Sequence, residues 1–448
     1  MADQLLVRAY NVGVGDCIYV RIPNDGDHFH LLIDCGKKGS ADQLATALAH
    51  LEANALPEGS APGKRRLDLL VVTHRHEDHI KGFDPDSFET IEIGAIWLSA
   101  AMDPNHPQAE RTHALHSLAE REMRAIAAQG LALSPELEGL VSLYGIRNDG
   151  AMEAVRETLP QKNGITPRYV HAGLSTASGE TRIAALKDAT IRVLAPERDI
   201  DGYYLGEEAD EALRAFIAGR ASFAQGAAPA GERPKNISGA DFRLLQSRML
   251  SSAFAFAEKD SSIQNNMSVV LLIEWAGRRL LFVGDAEWHG KFKKGKHNGS
   301  WEVMWKKRKK WLEDPIDFLK VGHHGSINAT PREPNKAADW EINQILDAIL
   351  PLPAAGARPT AQAVVSTERS YYPPIPEGDL MVELGRRVAN TRNYQAQLSD
   401  AGLDPAAELP HFHDEEEAFL DKPQPWRTDL EKLLLGKDFV DVLIDEAS

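Results

Sequence analysis

Apolar residues in this chain fall mostly into short, nearly continuous runs, and several of the runs stop abruptly on residues with chemistry. Leu67-Asp68-Leu69-Leu70-Val71-Val72 reads as a buried strand and runs straight into Thr73-His74-Arg75-His76-Glu77-Asp78-His79. Upstream, residues 5–20 read as a strand, a Gly-punctuated turn from Asn11 to Asp16, and a second strand. His30-Leu31-Leu32-Ile33 gives a third, ending at Asp34-Cys35-Gly36. A helix from about Ser40 to Ala53 follows, with Leu44, Leu48 and Leu51 on one face and Ser40 as its N-cap. Ile91 to Leu98 reads as one further strand. In the second half, Val269 to Trp275 and Arg279 to Val283 flank a turn and predict a hairpin that closes on Gly284-Asp285-Ala286. Phe318 to Gly322 predicts a strand leading into His323-His324-Gly325-Ser326. Ala363 to Ser366 predicts another, before the loop Tyr371-Tyr372-Pro373-Pro374. A helix from about Glu377 to Asn390 and a strand over Phe439 to Ile444 complete the pattern.

Strands this apolar, alternating with helices, predict a layered α/β fold with both sheet faces covered. Residues 102–165 and 197–262 break the rhythm and read as helical insertions, the second containing a flexible loop, AQGAAPAGERPKNISG. Residues 400–448 form an acidic extension in which Asp414 to Glu417 is a solvated run. The 448 residues, 43% hydrophobic and 26% charged, describe an ordinary globular protein. No apolar run is long enough to span a bilayer and no signal-peptide pattern opens the chain, so no membrane partner is expected. Two cysteines, Cys17 and Cys35, make no disulfide framework, and a reducing cytoplasm is the expected location. The net charge of −16 opposes general attraction to nucleic acid, unless local charge reverses it.

Imidazoles and a carboxylate packed into six positions at a strand end are costly unless something pairs with them. Residues 74 and 76 share one side of an extended segment, and a tight turn brings 78 and 79 round from another direction. Ligands of this type and spacing suit two divalent ions, zinc favoured. Asp285, again at a strand end, is the candidate bridge between them. The expected sets are His74, His76 and Asp285 for one ion, and Asp78, His79, Asp285 and one imidazole of the later pair for the other. His323 is the first choice for that imidazole, which leaves His324 to orient its neighbour or meet substrate. A water between two such cations loses a proton near neutral pH and becomes a nucleophile, held by Asp78 or Asp285. Lys320 has two readings, since alternation puts it on the face opposite residue 323 while a twist or bulge would turn it in to meet a phosphate oxygen.

The order of these motifs resembles the metallo-β-lactamase superfamily. His74-x-His76-x-Asp78-His79 matches its metal motif, and Asp34 falls where the family keeps an acidic residue behind the metal turn. The closer resemblance is to the hydrolase domain of bacterial DNA-uptake (competence) membrane proteins and their soluble relatives. It is carried by Asn11 to Asp16, Leu32 to Gly36, Asn265 to Ser268, Gly284 to Ala286 and Leu319 to Ser326, and covers roughly residues 5–100 and 265–370. The resemblance implies one αββα sandwich domain over residues 1–448, metals at one edge, support from Asp16 and Asp34, and hydrolysis of a phosphodiester or related ester. One departure from many superfamily hydrolases is the stretch Gln264, Asn265 and Asn266, which stands where they place another His. Amide oxygens are poor zinc ligands, so the His74 site is expected to be weakly held, shifted to Mn²⁺ or Mg²⁺, or empty at rest. Asn265 and Asn266 then become candidates for substrate contact.

Charge narrows the substrate. Lys291 to Lys310 holds nine Lys or Arg and a single acidic residue, Glu302. Trp301, Met304, Trp305, Trp311 and Leu312 fall at helical spacing with Lys306, Lys307, Lys309 and Lys310 opposite, which predicts an amphipathic helix whose tryptophans pack inward. The lysines form a ridge that would attract a polyanion. The expected function is therefore a metal-dependent phosphodiesterase acting on nucleic acid, a nuclease. The alternatives are a phosphodiesterase of small molecules and a weakly active module that binds protein partners through the helical insertions. His289 and His297 are expected at the surface without ligand partners.

Overall fold

The computed structural model describes residues 4–38, 42–128, 140–141, 144, 147–207, 211, 213–214, 239–333, 341–369, 375–404 and 419–447. The apolar runs become two seven-stranded sheets. The first is built from β1 (Leu5–Tyr10), β2 (Ile18–Asn24), β3 (Asp27–Ile33), β5 (Leu69–Val72), β7 (Ile96–Ser99), β8 (Arg168–Val170) and β16 (Phe439–Ile444). Its order is β16-β1-β2-β3-β5-β7-β8. Strands β16 to β3 pair antiparallel, and β3, β5, β7 and β8 pair parallel. The second sheet holds β9 (Ala189–Ala195), β10 (Val270–Trp275), β11 (Arg278–Phe282), β12 (Phe318–Val321), β13 (Gln362–Val365), β14 (Thr391–Asn393) and β15 (Pro423–Arg427). Its order, β14-β15-β13-β12-β11-β10-β9, follows a similar plan, antiparallel at β9–β11 and parallel from β11 to β15, with the edge strand β14 antiparallel to β15.

Alternation along each strand divides the core into layers. Val7, Val20, Leu31, Leu69 and Val71 face Val193, Leu271, Ile273, Leu280 and Phe282 across the gap between the sheets. The intervening residues Leu70, Val72 and Leu98 point outward onto Leu44, Leu48, Leu51 and Val155. Leu272, Leu281, Leu319 and Val321 point outward on the other side, onto Trp301, Trp305, Ile345, Leu346 and Leu384. The molecule is therefore an α/β protein with helices outside two packed sheets, the αββα layering expected from sequence.

Several elements differ in detail. Ile91 to Leu98 is two strands, because Gly94 crosses so close to Asp68 that a Cβ would lie 2.8 Å from its carbonyl oxygen. The first piece, β6 (Ile91–Ile93), pairs with β4 (Arg65–Leu67) in a separate two-stranded sheet. Residues 400–448 are not a simple extension, since β15 lies inside the second sheet and β16 seals β1 of the first. Asn265 and Asn266 end the helix Gly239–Asn266. The first insertion is helical among its described residues, in Glu110–Ala128 and in Arg147–Glu153, Ala154–Thr158 and Leu159–Asn163, which follow one another directly. The loop AQGAAPAGERPKNISG, apart from Gly239, most of residues 129–146 of the first insertion, Ser40, Tyr371 to Pro374 and the run Asp414 to Glu417 lie outside the described residues. No helix among the described residues is long and apolar enough to cross a membrane, and both cysteines are buried free thiols.

Candidate metal centre

Strand ends from both sheets deliver the site. β5 ends at Val72, and Thr73 is held from behind by Asp34, whose carboxylate accepts from Thr73 N at 2.7 Å and Thr73 Oγ1 at 2.6 Å. The short helix Glu77–Ile80 follows, so His74, His76, Asp78 and His79 turn into one buried pocket. Gly36 allows this turn, because a Cβ there would lie 2.2 Å from His79 N. From the other sheet, β11 ends at Phe282, three residues before Asp285, and β12 ends at Val321, just before the His323–His324 turn. His323 N donates to Gly284 O at 3.1 Å, tying those two ends together. Between the halves, Val269 N donates to Thr73 O at 3.0 Å.

The side chains converge as two overlapping groups, His74, His76 and Asp285, and Asp78, His79, Asp285 and His324. Asp285 belongs to both, with Oδ1 3.1 Å from His79 Nε2 and Oδ2 3.7 Å from His74 Nε2. His74 Nε2 is 3.1 Å from His76 Nδ1, and Asp78 Oδ2 is 3.4 Å from His324 Nε2. Behind the site, His79 Nδ1 meets Asp34 Oδ2 at 2.7 Å and His324 Nδ1 meets Ser366 O at 3.0 Å. Those contacts fix the two rings and leave each Nε2 facing inward.

Two expected assignments change. His324, not His323, joins Asp78, because both residues adopt positive φ, 43° and 53°, and extended-chain alternation fails across them. His323 turns toward Glu287, with Nδ1 3.4 Å from its Oε1, while its Nε2 stays 3.9 Å from Asp285. Lys320 does turn inward, but onto Asp16, at 2.9 Å and 3.0 Å from its two oxygens. That buried pair pins the Asn11–Asp16 turn beneath the centre, so Lys320 supports the site instead of presenting its charge to a phosphate.

The amides at the end of Gly239–Asn266 are also structural. Asn266 is fully buried, accepts from Glu287 N at 3.0 Å and Ser300 N at 2.7 Å, and donates to Glu287 at 3.1 Å. Asn265 donates to the other Glu287 oxygen at 2.9 Å. Glu287 was not singled out from the sequence, although it stands two residues beyond Asp285 at the same strand end. It also accepts from Ser262 at 2.8 Å and lies 3.1 Å from His289. His289 and His297, expected at the surface without ligand partners, lie with tilted rings whose centroids are 4.4 Å apart, and share Ser262.

Protonation suits a cation. Burial pushes His74 well below the ordinary histidine range, with His79 and His76 adding to it, and takes His76 down to about 4. Burial alone would raise Asp78 and Asp285, yet His324 and His79 hold the first, and His79 and His323 the second, well below the carboxylate range. Burial opposes charge on His79, but Asp285 and Asp34 raise it well above the usual value. A divalent ion would take the place of that proton. Asp78 Oδ1, both Asp285 oxygens, His79 Nε2 and His324 Nε2 are buried without a well-directed hydrogen-bond partner among the described residues. Such atoms are costly to bury bare, and neutral imidazoles facing ionised carboxylates are the donors a divalent cation takes. The residues fit a metal.

The lysine ridge is present on the surface. In the helix Ser300–Arg308, Trp301, Met304 and Trp305 pack against the second sheet, and Lys306 and Lys307 are exposed. Lys309 and Lys310, in the next turn, are exposed as well, lying over Trp305 and Trp311 at 4.8 Å and 5.0 Å.

No protein-family model matches the chain, and no curated protein matches it either. Among solved structures it is similar to the metallo-β-lactamase fold protein YhfI from Bacillus subtilis, at 10% identity over 71% of each chain and a TM-score of 0.27. It is also similar to a protein of unknown function from Enterococcus faecalis V583, at 11% identity over 75% of this chain and 53% of that one, with a TM-score of 0.29.

Proposed function

We propose that this protein is a metal-dependent hydrolase of phosphodiester bonds, with nucleic acid as substrate. The observation that carries the reading is the convergence of buried imidazoles and carboxylates from strand ends of both sheets on Asp285. Divalent cations held there would acidify a water and neutralise charge gathering on a phosphate. Of the chain's own groups, Asp34 and Ser366 O orient His79 and His324, and Asp16 with Lys320 braces the turn beneath them. His323, backed by Glu287 and reaching to within 3.9 Å of Asp285, is placed to pass a proton to the departing oxygen. The exposed lysines at 306, 307, 309 and 310 favour a polyanion over a small ester. The test is cleavage of plasmid DNA and structured RNA beside a chromogenic phosphodiester, with and without chelator. Metal-dependent cleavage that falls at least about a hundredfold in His76→Ala/Asp78→Ala supports the reading. Turnover of the small ester alone would move the substrate class, and hydrolysis that survives in the variant would contradict the proposal.

A further inference from the structure

The loop over residues 288–299 has two faces. His289 and His297 contact Ser262 beside Glu287, on the metal-centre side. Phe292 and Lys294 instead line an open-mouthed cavity of about 550 Å³, bordered also by residues of the turn Asp201–Leu205 and by Lys306 and Lys307 of the helix Ser300–Arg308. That volume suits a ligand of nucleotide size.

Three kinds of group meet there. Tyr203 and Phe292, both half-buried, make an aromatic wall with ring centroids 6.2 Å apart and a 38° tilt. Lys294 and Lys306 are exposed at the cavity, and Lys307 lies 5.5 Å over the Tyr203 ring. Two of the acids are used within the fold. Asp201 accepts from Arg111 N, Thr112 N and Thr112 Oγ1 at 3.1, 2.9 and 2.7 Å, and Asp199 accepts from Gly202 N at 3.0 Å. Glu207 presents its carboxylate beside Gly295, where an added Cβ would come within 2.7 Å of Oε1.

An aromatic face, a cluster of ammonium groups and one acceptor carboxylate match, in turn, a base, a phosphate and sugar hydroxyls. We propose that this cavity binds a nucleotide, its base against Tyr203 and Phe292, its phosphate at Lys294 and Lys306, and its ribose hydroxyls donating to Glu207. Stacking supplies affinity for the base, and the lysines supply the preference for a phosphorylated ligand. None of these residues belongs to the His/Asp cluster, so the inference does not need the metal centre, although Lys306 and Lys307 are shared with the lysine ridge.

Isothermal titration of the full chain in chelator, with 5′-AMP, adenosine, ribose 5-phosphate and a short oligo(dA) strand, tests it. 5′-AMP should bind at least about tenfold more tightly than adenosine or ribose 5-phosphate. Phe292→Ala and, separately, Lys294→Glu/Lys306→Glu should each weaken it at least about tenfold, whereas His76→Ala/Asp78→Ala should leave it unchanged. Because the lysines are exposed, that pair tests the site even if Phe292→Ala fails to fold. Tighter binding of oligo(dA), lost in the same variants, would identify the ligand as the end of a strand; weaker binding would identify a free nucleotide. Unchanged affinity in the lysine pair, no binding of 5′-AMP at about 1 mM, or loss of binding in His76→Ala/Asp78→Ala would overturn the proposal.

Discussion

His323 and His324 are adjacent in sequence and differ in role because of backbone sign. Positive φ at both positions swings His324 Nε2 toward Asp78 and His323 Nδ1 toward Glu287. His324→Ala is therefore expected to lower metal affinity at least about tenfold, as is Asp34→Ala, which frees the His79 ring. His323→Ala should retain metal and lose activity. Metal content by mass spectrometry, read beside turnover, checks this; equal metal loss in both His variants would contradict the assignment. Lys320 is a second case. On β12 it shares the inward face with Phe318 and meets Asp16 across the gap between the halves. Lys320→Met leaves a buried carboxylate alone and should cost about 3–5 kcal/mol in chemical denaturation, with much of it recovered in Asp16→Leu/Lys320→Met. A loss under about 1 kcal/mol would mean that the pair contributes little. The types of the candidate ligands were legible in the sequence, since imidazoles and carboxylates at strand ends announce themselves. Which imidazole faced inward was not, because two consecutive left-handed residues defeat alternation.

Among the elements, the helix Ser300–Arg308 divides cleanly into a packed face and a charged end. Trp301 is buried, and its indole donates to Ala329 O at 2.9 Å. Trp301→Ala should destabilise the fold by about 3–5 kcal/mol, while replacing Lys306, Lys307, Lys309 and Lys310 with Ala should change stability little. The lysine variant should instead weaken binding to DNA and flatten its salt dependence, measured by fluorescence anisotropy across salt. Unaltered salt dependence would remove the ridge from the substrate path. Tryptophan spacing made this helix readable. The β2–β3 hairpin was equally readable in principle, since Asp25 and Gly26 both take positive φ in the Asn24–Asp27 turn, yet the strands expected there were shorter. The break at Gly94 had a weaker signal, a lone glycine inside an apolar run, and its cause is a chain crossing that local sequence does not contain.

Across the whole molecule, two sheets of similar plan place their strand ends at one edge, and the centre lies where those ends meet. The layering followed from apolar runs whose alternate residues serve two cores. Less visible was the return of the last residues, where β16 pairs with β1 over Leu5 to Tyr10; a pairing that spans the whole chain leaves no local trace. The same long range brings Asp285 to residues about two hundred positions earlier, and the shared carboxylate is the central claim. Metal stoichiometry after loading with Zn²⁺ or Mn²⁺, compared between the unaltered protein and Asp285→Ala, tests it most directly. Two ions per chain are expected in the first, and loss of both, or of all but weak binding, in the second. Full occupancy in Asp285→Ala would contradict it.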